Sequence, residues 1–324
     1  MHSFEELLSI FEDRLKQEKF SREPEELYSP INYTLALGGK RIRPVLTLMA
    51  CDMFGGDINE ALPQAIAIEM FHNFTLIHDD IMDNAPIRRG KQTVYKKWSP
   101  NIAILSGDTL FAYAYQYAQK ADKDVLQDVL SVFNQTAIEV CEGQQYDLNY
   151  ETRNDVSVEE YINMIRLKTA VLFGASLKIG AIIGGAKPIE ADKLYSFALS
   201  IGLGFQLKDD LLDTFGDEAV FGKKPGGDIL SNKKTFLYLK TLELADTKTR
   251  EKLISLYNSD NENEEEKINS VKTIFKNLNI DEITEREIDR YFDAANVDLN
   301  SLDVSVDIKA ELYSLAHKMI HRDS

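Results

Sequence analysis

A chain of 324 residues is long enough for one large helical domain or two ordinary ones, and it can bury a substantial core. Acids outnumber bases 53 to 37, a net charge of −16, which argues against a general affinity for nucleic acid or anionic membranes. Two cysteines, Cys51 and Cys141, lie in apolar helical stretches and support neither a disulfide framework nor a thiolate zinc site, so a reducing, cytoplasmic setting is expected.

Apolar residues recur at three- and four-residue intervals along nearly the whole chain, with no sustained strand alternation, and this predicts an all-α fold. The first predicted helix, 2–18, carries Phe4, Leu7, Leu8, Phe11 and Leu15 among Glu and Lys, without the order of a signal peptide. Helices at 25–38 and 41–54 follow, then Gly55-Gly56, then a helix at 62–83 with Pro63 in its first turn and Asp83-Asn84-Ala85-Pro86 at its end. Helices at 101–120 and 123–145 precede one at 157–185. The latter holds the most apolar stretch, which Lys178 and several glycines make a tightly packed buried helix and not a bilayer span. The series closes with 189–215, 233–245, 248–258, 263–276, 281–294 and 301–320. No Pro/Ser-rich linker divides the chain, so a single domain, 1–324, is expected, and the polar run at 258–266 reads as a solvated loop entering a helix.

One pattern repeats. Asp79-Asp80-Ile81-Met82-Asp83 recurs in form as Asp209-Asp210-Leu211-Leu212-Asp213, each on an otherwise apolar helix. Spacing i, i+4 puts Asp79 with Asp83, and Asp209 with Asp213, on one helical face, where oxygen ligands suit a hard cation. A solvated acidic helix end is the plain alternative for either motif alone, but two copies in apolar surroundings favour a site. Magnesium held by few carboxylates completes its shell with water and phosphate oxygens, so basic groups for phosphate should exist. Four clusters fit: Lys40-Arg41-Ile42-Arg43 after Gly38-Gly39, Arg88-Arg89-Gly90-Lys91 just after the first acidic motif, and Gly222-Lys223-Lys224 and Lys233-Lys234 after the second.

With these motifs in order, the sequence resembles the trans-prenyl diphosphate synthase family over nearly the whole chain. The resemblance is carried by Gly38 to Pro44, the first aspartate motif with Arg88-Arg89-Gly90, Gly143-Gln144, Lys168-Thr169, and Gly204 to Asp213 with Gly216-Asp217. It implies a large all-α bundle around a deep central cavity, usually a homodimer. It also implies head-to-tail condensation of isopentenyl diphosphate with an allylic diphosphate (dimethylallyl, geranyl or farnesyl) and release of pyrophosphate. By the same resemblance, Asp79, Asp83, Asp209 and Asp213 are the ligands of three magnesium ions, with Asp80 and Asp210 supporting them. Arg88, Lys168, Gln206 and Lys223 match contacts to the allylic diphosphate, and Lys40, Arg43, His72 and Arg89 match the isopentenyl diphosphate pocket. Gln144 with Asp147, Thr169 and Lys233 match further positions around the substrates, and a nucleic acid partner or a membrane span is not expected. Bulky Phe71 and Phe74, with the smaller Thr75, stand at the places that set chain length in the family and imply a product of fifteen to twenty carbons, twenty preferred.

Three rival readings fit less of the sequence. His78-Asp79 is similar to the metal pair of His-Asp phosphohydrolases, but that reading leaves the second motif unexplained. Terpene cyclases usually replace the second motif with an Asn/Ser/Glu site, and a regulatory subunit would carry broken motifs. Both triads here are intact.

Overall fold

The computed structural model describes residues 2–217, 225–258 and 263–321. In chain order its helices are α1 (Phe4–Leu15), α2 (Glu25–Leu35), α3 (Ile42–Met53), α4 (Ile58–Met82), α5 (Val94–Lys97), α6 (Pro100–Ala118), α7 (Leu126–Thr152), α8 (Val158–Ile165), α9 (Val171–Ile183) and α10 (Pro188–Phe215). They continue with α11 (Gly227–Leu230), α12 (Phe236–Leu244), α13 (Thr247–Asn258), α14 (Glu264–Asn277), α15 (Ile280–Asn300) and α16 (Val306–Ile320). Among the described residues the strands are β1 (Ile87–Arg88) and β2 (Lys91–Gln92), an antiparallel hairpin of two residues each, so the all-α expectation stands.

The chain divides into two compact units, the first of 1–135, 175–194 and 303–311, the second of 136–174, 195–302 and 312–324. In the first, α4 is buried on every side from Ala61 to Phe71 save at Pro63, as an apolar helix inside a core must be, and it packs along α3 and α6. Its start departs from expectation: Asp57, whose side chain accepts the Asn59 N–H at 2.9 Å, caps the helix, so it begins at Ile58 and Pro63 lies inside it. The apolar run expected to be a packed helix is one. A Cβ on Gly180 would lie 2.0 Å from the Thr47 carbonyl oxygen, and one on Gly184 would lie 2.6 Å from that of Cys51.

In the second unit, the expected helix 157–185 is interrupted. Residues Arg166–Ala170 form a π-helical turn between α8 and α9, a one-residue expansion of a kind common at functional sites. The helix expected at 123–145 begins at Leu126 and runs on to Thr152, the helix expected at 281–294 runs from Ile280 to Asn300, and the last begins at Val306, not 301. Asn263 caps α14 by accepting the Glu266 N–H, while 259–262 of the polar run lie outside the described residues. No helix among the described residues is long and apolar enough to cross a membrane.

Candidate active site

The first acidic motif closes α4. Asp80 is buried and Asp83, the C-cap residue, is exposed. Opposite them stands the hairpin of β1 and β2, whose two-residue turn, Arg89-Gly90, has φ of 52° and 71°, the left-handed pair that tight hairpins need. From it Arg88 reaches back to α4, donating from Nε to Asp80 Oδ1 at 2.7 Å and from Nη2 to Asp79 Oδ2 at 3.3 Å. Burial pushes the Asp80 carboxyl up to about 6 despite the pull of Arg88. Arg89 turns elsewhere, donating to the Gly38 carbonyl and lying against Gly39, where a Cβ would come within 2.9 Å of its guanidinium.

The Gly38–Arg43 loop thus joins the same neighbourhood. Lys40 is exposed, and Arg43 lies 3.5 Å from His72 Nε2 on α4. Desolvation first, then the Arg43 guanidinium, lowers the His72 pKa well below its usual value, so the ring is neutral near pH 7 and can donate from one nitrogen only. His78, by contrast, faces α6, with Nε2 at 3.2 Å from the Ile104 carbonyl and 3.7 Å from Asp108. It does not combine with Asp79 into the pair a His-Asp phosphohydrolase requires.

Farther up α4, Phe71 is fully buried against Phe74, Phe111 and Phe133, and half-buried Phe74 stacks on Phe111 with ring centroids 4.8 Å apart. Thr75 turns back onto its own helix, donating to the His72 carbonyl at 2.8 Å.

The second unit gathers the other acidic motif. Asp210 is buried and accepts from the Tyr161 hydroxyl and, at 3.2 Å, from Gln206 Nε2, while Gln206 Oε1 accepts from Thr169 Oγ1 at 3.1 Å. Lys168, one residue before Thr169 in the π-helical turn, donates to Asp147 Oδ2 at 2.5 Å. Asp213 Oδ2 accepts the Asp228 N–H at 2.8 Å, and Lys233 Nζ stands 3.8 Å from Asp228. Burial first, then the Asp228 charge, pushes the Asp210 carboxyl well up. Burial and Asp213 push that of Asp228 up to about 6. Carboxylates that raise one another in this way are a donor set that a divalent cation would relieve. Among the described residues no three His, Cys, Asp or Glu side chains converge as a ready-made metal cage.

Gln144 Nε2 is buried without a hydrogen-bond partner among the described residues, and Lys223 lies outside them. Asp228 and Tyr161 are missed by the sequence reading. For Asp228 the Gly226-Gly227-Asp228 turn downstream of the second motif was a usable signal, whereas Tyr161 is an ordinary apolar-face residue of α8.

Gly143 has a single physical reason to be glycine. A Cβ there would lie 2.3 Å from the Lys168 backbone nitrogen and 2.7 Å from its Cα, so α7 and the π-helical turn touch backbone to backbone. Gly143→Ala is expected to displace Lys168 and Thr169, lowering turnover about 10²-fold. The strain of overpacking should destabilise the fold by about 1–3 kcal/mol, read by steady-state kinetics and chemical denaturation.

Residues 24–275 match the family model described as polyprenyl synthetase. The chain belongs to the polyprenyl synthetase family. Among its relatives in that family, a short chain isoprenyl diphosphate synthase of Methanothermobacter thermautotrophicus is 42% identical over 252 residues, 78% of each chain. A crystal structure of a geranylgeranyl pyrophosphate synthase superposes with a TM-score of 0.95 at 44% identity, covering 100% of both chains. A polyprenyl synthase from Caulobacter crescentus, in complex with calcium and isoprenyl diphosphate, superposes with a TM-score of 0.87 at 26% identity, covering 99% of this chain and 98% of its own. As a polyprenyl synthetase the chain is a prenyltransferase, and the family works with divalent metal ions.

Proposed function

We propose that the chain, both units acting as one domain, condenses isopentenyl diphosphate with allylic diphosphates to a trans-prenyl diphosphate of fifteen to twenty carbons, twenty preferred. The observation that carries this is the matched build of the two acidic motifs. In each, the middle aspartate is buried and held by protein donors, Asp80 by Arg88 and Asp210 by Tyr161 and Gln206. The outer aspartates of each, Asp79 with Asp83 and Asp209 with Asp213, are left more open to solvent.

We assign those four outer aspartates to magnesium, three ions per site. When bound, these ions supply positive charge to the leaving diphosphate. Arg88, Lys168, Gln206 and Lys223 hold the allylic diphosphate, and Lys40, Arg43, His72 and Arg89 hold isopentenyl diphosphate, with Gln144 and Lys233 beside the substrates. As the allylic C–O bond breaks, its electron pair leaves with pyrophosphate, and Arg88 and Lys168 stabilise that charge from fixed positions. The double bond of isopentenyl diphosphate then forms the new C–C bond at the allylic carbon, and the proton lost goes to a pyrophosphate oxygen. No side chain has to serve as base. Thr169, whose hydroxyl donates to Gln206, is assigned the role of a neutral hydroxyl beside the reacting carbons. Calcium and isoprenyl diphosphate in the Caulobacter relative support this ligand chemistry.

The side-by-side exposed Ile104 and Leu105 of α6 support a homodimer that covers them, and free Cys51 and Cys141 support work in the cytoplasm. Incubation with labelled isopentenyl diphosphate, each primer and magnesium, with chromatography of the dephosphorylated products, tests the activity. Absence of any elongated prenyl product overturns it. The two substrate halves also separate kinetically. Lys40→Ala and Arg43→Ala should raise KM for isopentenyl diphosphate about tenfold or more, while Lys168→Ala acts on the allylic reaction. One shared defect in all three variants would remove the assignment.

A further inference from the structure

Deep in the first unit lies a charged pair that the proposed reaction does not use. Arg41 is 6% exposed, and Glu69, about one turn before His72 and Asn73 on α4, is 2% exposed. Arg41 donates from Nη1 to Glu69 and from Nη2 to the Leu35 carbonyl at 2.6 Å. Fully buried Asn73 donates from Nδ2 both to Glu69 Oε1 at 2.8 Å and to the Glu69 carbonyl at 2.7 Å, which fixes the carboxylate.

This cluster is costly. Removing two charges from water consumes much of what their attraction returns, so a buried ion pair is a poor source of stability. Arg41 Nε and Asn73 Oδ1 are buried with no hydrogen-bond partner among the described residues, which adds to the cost. The backbone bears strain as well: Arg41, a residue with a Cβ, has φ 47° at the start of α3, following Gly38 at 76° and Gly39 at 138°. Strain and buried charge persist together where the surroundings over-determine a geometry, and here the geometry belongs to a loop. Arg41 lies between Lys40 and Arg43. With its guanidinium locked inward, Lys40 is left exposed, and α3 starts so that Arg43 stands 3.5 Å from His72, three residues from Glu69 on the same helix.

We infer that Arg41, Glu69 and Asn73 form a buried positioning triad for the isopentenyl diphosphate site, fixing Lys40 and Arg43 relative to His72. They touch no substrate. Their effect is on the affinity of one diphosphate and not of the other. The inference rests on the assignment of Lys40 and Arg43 given above, and the experiment separates the two.

Two variants are compared with wild type: Glu69→Gln, which keeps the shape but leaves Arg41 uncompensated, and the double variant Arg41→Met/Glu69→Leu, which replaces the pair with apolar groups. Apolar replacement of a buried pair tends to preserve the fold, so the double variant removes positioning while sparing packing. Both are expected to melt cooperatively, with KM for isopentenyl diphosphate raised about tenfold, KM for the allylic primer within about twofold and kcat within about threefold. An unchanged KM for isopentenyl diphosphate in the folded double variant overturns the inference, as does an equal rise in both KM values. Failure of both variants to fold makes the cluster a stability element and also overturns it. Lys40→Ala is measured alongside: if it leaves KM for isopentenyl diphosphate unchanged, the substrate assignment itself fails, and the triad with it. If it raises that KM while the triad variants do not, only the triad fails.

Discussion

Asp79→Ala or Asp209→Ala should lower kcat by roughly 10²–10⁴, equivalent to about 3–5 kcal/mol in the barrier, with the fold intact by thermal melting. Each substitution removes an outer carboxylate while leaving its buried neighbour, Asp80 or Asp210, in its hydrogen bonds to Arg88 or to Tyr161 and Gln206. The loss therefore falls on charge stabilisation and not on helix packing. Excess chelator should abolish turnover and added magnesium restore it. Full turnover in chelator, or near wild-type rates in either variant, would sink the assignment.

The second large effect is on product length. The growing chain is proposed to run from the acidic end of α4 back toward Phe74 and Phe71, and the two rings differ in a way that decides which to test. Phe71 is 1% exposed inside a cluster of Phe74, Phe111 and Phe133, so Phe71→Ala leaves a core cavity and should cost about 3–5 kcal/mol of stability. Phe74 is half-buried, stacking on Phe111 and meeting His78 and Phe71 at tilted or edge-on angles. Phe74→Ala should open apolar volume with a smaller penalty and lengthen the main product by one or more five-carbon units. Chromatography of the dephosphorylated products reads the shift. An unchanged distribution in folded Phe74→Ala, or wild-type products of thirty carbons and above, refutes the floor role.

Much of this is legible in the sequence, because long helices advertise themselves through three- and four-residue periodicity and the aspartate triads are local in sequence. What was hidden is what depends on contact. The π-helical turn at 166–170 is hidden because the helix that follows it is apolar on nearly every face, so a one-residue shift of phase displaces no polar stripe that would mark it. Gly143 could be recognised as a motif residue, but only the approach of the Lys168 backbone explains it. Tyr161 looks like any core aromatic until its hydroxyl is found on Asp210, 49 positions away. The hairpin at 87–92 was invisible because Arg-Gly is not the usual Asn-Gly signal for such a turn. The start of α4 is obscured in the sequence by Pro63, a residue that favours the first turn of a helix, whereas the capping side chain of Asp57 sets the true beginning.

That hairpin also limits how such an enzyme can change over evolutionary time. Arg88 and Arg89 are joined by one peptide bond, yet one serves Asp79 and Asp80 and the other the Gly38 carbonyl, because the left-handed turn sends successive side chains apart. An insertion, or a residue at Gly90 that rejects φ 71°, would disturb both destinations in a single mutational step. On the proposed assignment of Arg88 to the allylic diphosphate and Arg89 to isopentenyl diphosphate, preferences for the two substrates are coupled through this segment. Natural divergence and laboratory selection alike should therefore leave the turn alone and explore new specificities along α4 instead.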